Sequence, residues 1–93
     1  ALARVVGDLS GRPHPKVACG FRRESVGEIA TENLAHFFHS LAIAGRMALH
    51  VDVLEGENDH HRAEAAFKAL ALALRQAVAS DGSAEVPSTK GVL

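Results

Sequence analysis

Tryptophan and tyrosine are missing from this 93-residue chain, and cysteine and methionine occur once each. A lone cysteine, Cys19, excludes an internal disulfide framework and any zinc site built from several thiolates. A reducing, cytoplasmic compartment is therefore expected. No run approaches the roughly 18 to 20 apolar residues that span a bilayer, and the start of the chain lacks the charged-then-apolar pattern of a secretory leader. Neither export nor membrane insertion is expected. An excess of either charge is also lacking, with 10 basic against 11 acidic residues and a net charge of −1. That balance offers no footprint for DNA or RNA, and the adjacent Arg22 and Arg23 are too few to make one. The chain opens on Ala1 into an apolar run, which leads us to expect a portion of something longer.

What is present is 47% hydrophobic residues, four Phe and six His. A chain of this size buries only roughly 60 to 65% of its unfolded surface, so any apolar face left over invites a partner chain. Leu2 to Leu9 is short and rich in β-branched residues, and Ser10-Gly11-Arg12-Pro13 follows with turn chemistry, which predicts a strand and a turn. Lys16 to Phe21 is the next expected strand, followed by an Arg22-Arg23-Glu24 loop. Thr31 is a candidate helix N-cap, with Leu34, Phe37, Phe38 and Leu41 at i, i+3, i+4 and i+7, ending near Gly45. From Met47 to Val53 apolar residues alternate with His50 and Asp52, the period of a half-buried strand. Asn58 then caps a long helix with Phe67, Leu70, Ala71, Leu74, Ala77 and Val78 as its core stripe. The polar tail from Val86 to Gly91 reads as turn-like. The result is an α+β fold in the order β-β-α-β-α, with both helices on one face of a small sheet. The second helix is apolar nearly all round, so burial on more than one side is expected.

The chemistry concentrates in Gly56-Glu57-Asn58-Asp59-His60-His61-Arg62-Ala63-Glu64-Ala65-Ala66-Phe67-Lys68. On a helix the directions of His60 and His61 diverge by about 100°, with Glu64 roughly 40° from the first and about 60° from the second. The two imidazoles therefore suit two metal sites flanking one helix better than joint chelation of one ion, and the carboxylate can complete either. Lys68, one turn beyond, can meet an anionic group. Imidazole and carboxylate without thiolate suit Mn, Fe, Co, Ni or Zn. By spacing alone, the same residues also read as exposed first-turn histidines beside a solvated carboxylate. A zincin is disfavoured, since His-Glu-x-x-His is not the order found. Phosphate-loop and Gly-x-Ser-x-Gly signatures are missing too.

The segment resembles the second signature of the imidazoleglycerol-phosphate dehydratase family, Gly-x-Asn-x-His-His-x-x-Glu-Ala-x-Phe-Lys. Gly56, Asn58, His60, His61, Glu64, Ala65, Phe67 and Lys68 meet every fixed position. Asp8-Leu9-Ser10-Gly11-Arg12-Pro13, His36-Phe37-Phe38 with Ser40-Leu41-Ala42, and Pro87-Ser88-Thr89-Lys90-Gly91 agree as well. The resemblance implies a metal-dependent hydro-lyase of histidine biosynthesis that dehydrates imidazole glycerol phosphate to imidazole acetol phosphate. It also implies a fold like that of a small-subunit ribosomal protein domain. Family members are roughly twice this length and carry two half-domains, so residues 1–93 are expected to be the C-terminal half, with the N-terminal half missing from this chain.

The same resemblance implies that His36, His60, His61 and Glu64 are metal ligands, with a pair of Mn2+ ions per complete site. It implies that Glu64 and Lys68 serve catalysis. Arg12, Ser88 and Lys90 are implied to bind the substrate phosphate, a role that a guanidinium fork suits. A cubic homo-oligomer of about 24 subunits is implied, with sites where subunits meet. His14, His39 and His50 match no ligand position and are expected to be structural or surface residues, His50 on the polar face of its strand. The rival reading is a non-catalytic metal-binding or assembly module, in which the histidines close a coordination shell with no open position.

Overall fold

The computed structural model describes residues 1–9, 11–79 and 83–89, the last segment by its backbone alone. A four-stranded sheet is covered on one face by two helices, in the order β1 (Leu2–Asp8), β2 (His14–Ala18), β3 (Ser25–Val26), β4 (Ile29–Ala30), α1 (Thr31–Ala44), β5 (Ala48–Glu55), α2 (Asp59–Ala79) and β6 (Ser83–Thr89). The sheet order is β2-β5-β1-β6, and β3 and β4 form a separate hairpin. β1 runs antiparallel to both of its neighbours, while β2 lies parallel to β5.

The α+β class and the two helices on one sheet are as expected, while the expected β-β-α-β-α order gains the hairpin β3–β4 and the strand β6, and several local readings change. The second strand starts at His14 rather than Lys16, because the edge of the sheet accepts Pro15. The His14 N–H donates to the Met47 carbonyl, so the alternate residue Pro15 turns its donor-less nitrogen to the open edge. The tail expected to be turn-like contains strand β6, which pairs with the otherwise free edge of β1 and carries Pro87 at the outer margin of the sheet. Thr31 is not the side-chain cap of α1. Ala30 occupies that position in extended conformation, while the Thr31 hydroxyl donates to the Arg23 carbonyl at 2.7 Å.

The core is the inward face of β1 and β5, with Ala3, Val5, Leu49, Val51 and Val53 beneath the helices. Phe38 is fully buried and meets the Phe67 ring at 4.9 Å between centroids. On α2 the residues against the sheet are Ala65, Ala66, Ala69, Leu70, Ala73 and Ala77. This shifts the expected stripe. Small side chains spaced by four let the helix lie close to the strands, and the larger Phe67 and Leu74 fall to its flank, with Val78 exposed. Phe37 and Ile43 of α1 are exposed, although the Phe37 ring still meets that of Phe67 at 5.5 Å between centroids.

Helix α1 stops in a Schellman arrangement. The N–H of Met47 donates to the Ala42 carbonyl at 3.0 Å and that of Arg46 to Ile43 at 3.2 Å, with Arg46 left-handed at φ 50°. The turn after β1 hooks onto the same end, where the Gly11 N–H donates to the Arg46 carbonyl at 2.9 Å. Both helices run antiparallel to β5, so their N-termini share one end of the sheet. No helix among the described residues is long and apolar enough to cross a membrane.

Candidate metal centre

The first turn of α2 is set against the end of β5 by three residues. Gly56 permits the approach, since a Cβ there would lie 2.7 Å from Cγ of Arg62. Asn58 caps the helix as expected, its Oδ1 accepting the His61 N–H at 2.9 Å. Arg62 reaches back from the helix, and its guanidinium donates to the Cys19 carbonyl at 3.1 Å.

His60 and His61 then diverge. Their ring centroids are 5.7 Å apart with planes at 63°, and each ring lines a different cleft. His60 faces a cleft of about 390 Å³ walled by Arg23, Ser25, Val26, Gly27 and Asn58. His61 faces another of about 380 Å³, beside Ala1, Glu55 and Glu57. Glu64 sits on the His60 side, with Oε2 3.7 Å from His60 Nε2 and Oε1 3.6 Å from Lys68 Nζ. Imidazole, carboxylate and ammonium thus form a ladder at i, i+4 and i+8 on one helix face. All three are open to water, where such pairs contribute little to stability. Their significance is geometric.

His36 lies on α1 in a third cleft, with Glu32, Asn33 and His39. Among the described residues no group of three or more His, Cys, Asp or Glu side chains converges to hold an ion. The donors fit a first-row transition metal in kind, being imidazole and carboxylate. They do not fit in number: His60 and Glu64 are the pair this chain brings together, and further coordination positions need donors from elsewhere.

The phosphate candidates separate along the sheet. Ser88 pairs with Ala3, at the end where α2 begins. Arg12 follows β1 at the opposite end, exposed in the turn after Gly11. Lys90 lies outside the described residues. Of the remaining histidines, His14 and His50 are exposed and their rings meet at 5.6 Å on the uncovered face of the sheet, as expected for the polar side of a strand.

Sequence reasoning passed over the supports of this site. The Asp59 carboxylate is buried and accepts the backbone N–H groups of Arg22 and Arg23 at 2.7 to 3.1 Å. The Arg22 N–H holds its pKa below the ordinary carboxylate value; burial opposes this, while the Arg23 N–H and the charges of Arg62 and Arg23 reinforce it. Cys19 is the converse case, its thiol pushed up to about 11 by burial despite the nearby Arg62 charge. The signal for the hairpin that walls the His60 cleft was Gly27-Glu28 between Val26 and Ile29. Gly27 takes φ +61°, as the first central residue of a type II′ turn requires.

The class this defines is a small α+β fold that presents an imidazole–carboxylate pair at a capped helix start. The particular family is resolved by comparison. The sequence model of imidazoleglycerol-phosphate dehydratase matches residues 1–74. Curated relatives of that name are 56% identical over all 93 residues in Lachancea kluyveri and in Saccharomyces cerevisiae. The chain spans 40% and 42% of the length of those two proteins. The crystal structure of imidazoleglycerol-phosphate dehydratase from Staphylococcus aureus superposes with a TM-score of 0.74 at 43% identity, covering 77% of this chain and 42% of that one. The chain belongs to the imidazoleglycerol-phosphate dehydratase family.

Proposed function

We propose that residues 1–93 are the C-terminal half of a metal-dependent hydro-lyase that converts imidazole glycerol phosphate to imidazole acetol phosphate in histidine biosynthesis. The observation that carries this reading is the Asn58-capped helix start, where His60, Glu64 and Lys68 stand on one face inside a chain that belongs to the dehydratase family. The reaction removes a proton from one side-chain carbon and hydroxide from its neighbour, and the resulting enol tautomerises to the ketone. His36, His60, His61 and Glu64, together with donors of the other half, would hold a Mn2+ pair, which would supply Lewis-acid stabilisation when bound. Glu64, between an imidazole and an ammonium, is placed to hold the proton in transit. Lys68, 3.6 Å from that carboxylate, offers a cation to the leaving oxygen. Ser88 and Lys90 of one copy, with Arg12 contributed by another because it stands at the opposite end of the sheet, grip the phosphate as hydrogen-bond donors. A cytoplasmic homo-oligomer is the accompanying expectation.

The rival metal-binding module requires these histidines to close a coordination shell, and no three donors converge to form one among the described residues. A triazole phosphonate mimicking the substrate separates the two. Tight, metal-dependent binding to the intact protein, abolished by His60→Ala, is expected for the lyase. Stoichiometric metal with no phosphonate binding and no ketone formed would refute it.

A further inference from the structure

Two polar residues are buried among those described, Thr31 and Asp59, and both direct their hydrogen bonds at the same three-residue loop. Asp59, the first residue of α2, accepts from the N–H groups of Arg22 (3.0 and 3.1 Å) and Arg23 (2.7 Å). Thr31, the first residue of α1, donates its hydroxyl to the Arg23 carbonyl at 2.7 Å and to the Glu24 carbonyl at 3.3 Å, and its N–H to Glu24 at 2.9 Å. The donors of the loop thus face one helix and its acceptors face the other. No cap is gained for α1 by this use of Thr31, whose hydroxyl is turned outward from its own helix. A buried carboxylate needs such partners, and these come from one segment 36 and 37 residues away.

We propose that Asp59, Thr31 and the Arg22–Glu24 loop form a bracket that fixes the N-terminal turn of α1 relative to that of α2, and that Asp59 and Thr31 are positioning residues for the metal ligands. The inference rests on the proposed metal site. His60 follows Asp59 directly, and His36 lies just over one turn beyond Thr31, so the bracket clamps both ligand-bearing helices at their roots. It also carries the wall of the His60 cleft, since Arg23 belongs to the loop and the hairpin beginning at Ser25 continues from it. Groups that orient metal ligands in this indirect way typically change affinity by about 10- to 100-fold when removed.

The test uses the intact protein and Mn2+ alone as probe, with bound ion followed by electron paramagnetic resonance. Asp59→Asn and Thr31→Val are each expected to raise the Mn2+ dissociation constant by about 10- to 100-fold, whereas Thr31→Ser, which keeps the hydroxyl, stays near the parent. Faster hydrogen exchange at the Arg22 and Arg23 amides in Asp59→Asn reports independently that the bracket has opened. Ala77→Gly, at the far end of α2, lowers the melting temperature without touching the bracket and is expected to leave the constant within about twofold. Should Asp59→Asn fail to fold, Thr31→Val and its serine rescue decide the matter. An unchanged constant in Thr31→Val, or equal weakening by Ala77→Gly, overturns the proposal. Mn2+ bound tightly without turnover would refute the dehydratase reading and leave the bracket standing, while a parent protein that binds no Mn2+ overturns both.

Discussion

Arg62→Met removes a guanidinium that ties α2 to two other segments while keeping most of its aliphatic stem. Its Nη1 donates to the Cys19 carbonyl at 3.1 Å and to Val53 at 3.5 Å, the second at the limit of a useful bond. One hydrogen bond from a charged donor contributes about 1.5 to 3 kcal/mol, and the carbonyl left behind is part-buried, so a loss of about 2 kcal/mol is expected. A chain of this length has roughly 5 to 14 kcal/mol in total, so the loss is substantial. With a urea slope of about 1 kcal/mol per molar, the unfolding midpoint falls by about 2 M at unchanged slope. Gly20 provides an internal check, because it holds φ +67° and a Cβ there would lie 2.9 Å from the same Nη1. Gly20→Ala destabilises by strain and by collision, and the collision vanishes beside Arg62→Met. The double variant is therefore less damaged than the sum of the two by about 1 kcal/mol. A midpoint within about 0.3 M of the parent for Arg62→Met, or strict additivity, would refute the reasoning.

Three further outcomes follow from the packing and the backbone. Cys19, with its pKa raised to about 11, resists alkylation at pH 8 until urea unfolds the chain. Because the folded value lies above the unfolded one, this thiol's contribution to stability is complete below about pH 9 and is lost as pH rises toward 11; a pH titration of the urea midpoint that stays flat through this window contradicts it. Phe38→Ala empties a fully buried ring site beside Phe67 and is expected to cost about 3 to 5 kcal/mol, with a value below about 1.5 by urea unfolding counting against the assigned core. Arg46→Gly relieves a left-handed side chain at the end of α1 and should raise the melting temperature by about 2 to 6 °C, whereas a fall by calorimetry would mean that the side chain makes a compensating contact.

The helices and the central strands were legible because each carries its own local code. Alternation marked β5, and Asn58 before a long apolar pattern marked α2. Strand β6 was not legible, since Pro87 and its polar neighbours have turn chemistry and only the open edge of β1 makes them a strand. The inward face of α2 was legible only in part, with Leu70 and Ala77 buried as expected, and the rest was missed for a related reason. Hydrophobicity ranks Phe67, Leu74 and Val78 above alanine, yet close approach to a sheet selects the smallest side chains at spacing four. In the candidate site, the divergence of His60 and His61 followed from helical periodicity alone. The roles of Asp59 and Thr31 could not, because their partners lie in a loop distant in sequence that no local pattern connects to them.

Arg12 and His60 stand at opposite ends of one sheet, and this separation carries a consequence for assembly. Strand β1 alone is seven residues long, about 20 Å, with Arg12 beyond its last residue and the start of α2 beside its first. A substrate with a short carbon chain between its ring and its phosphate does not span that distance. If both residues serve one substrate, they come from different copies of the chain. Intact Arg12→Ala and His60→Ala proteins are each expected to be inactive. Co-expressed in equal amounts, they form mixed assemblies in which a site drawing Arg12 from one copy and His60 from another is intact about one time in four, giving about a quarter of parental turnover. Sites contained within one copy would give none, because every chain carries one defect or the other. Measured turnover near zero in assemblies shown by mass to be mixed would therefore place both residues on one copy, and Arg12 would lose its assignment to the phosphate.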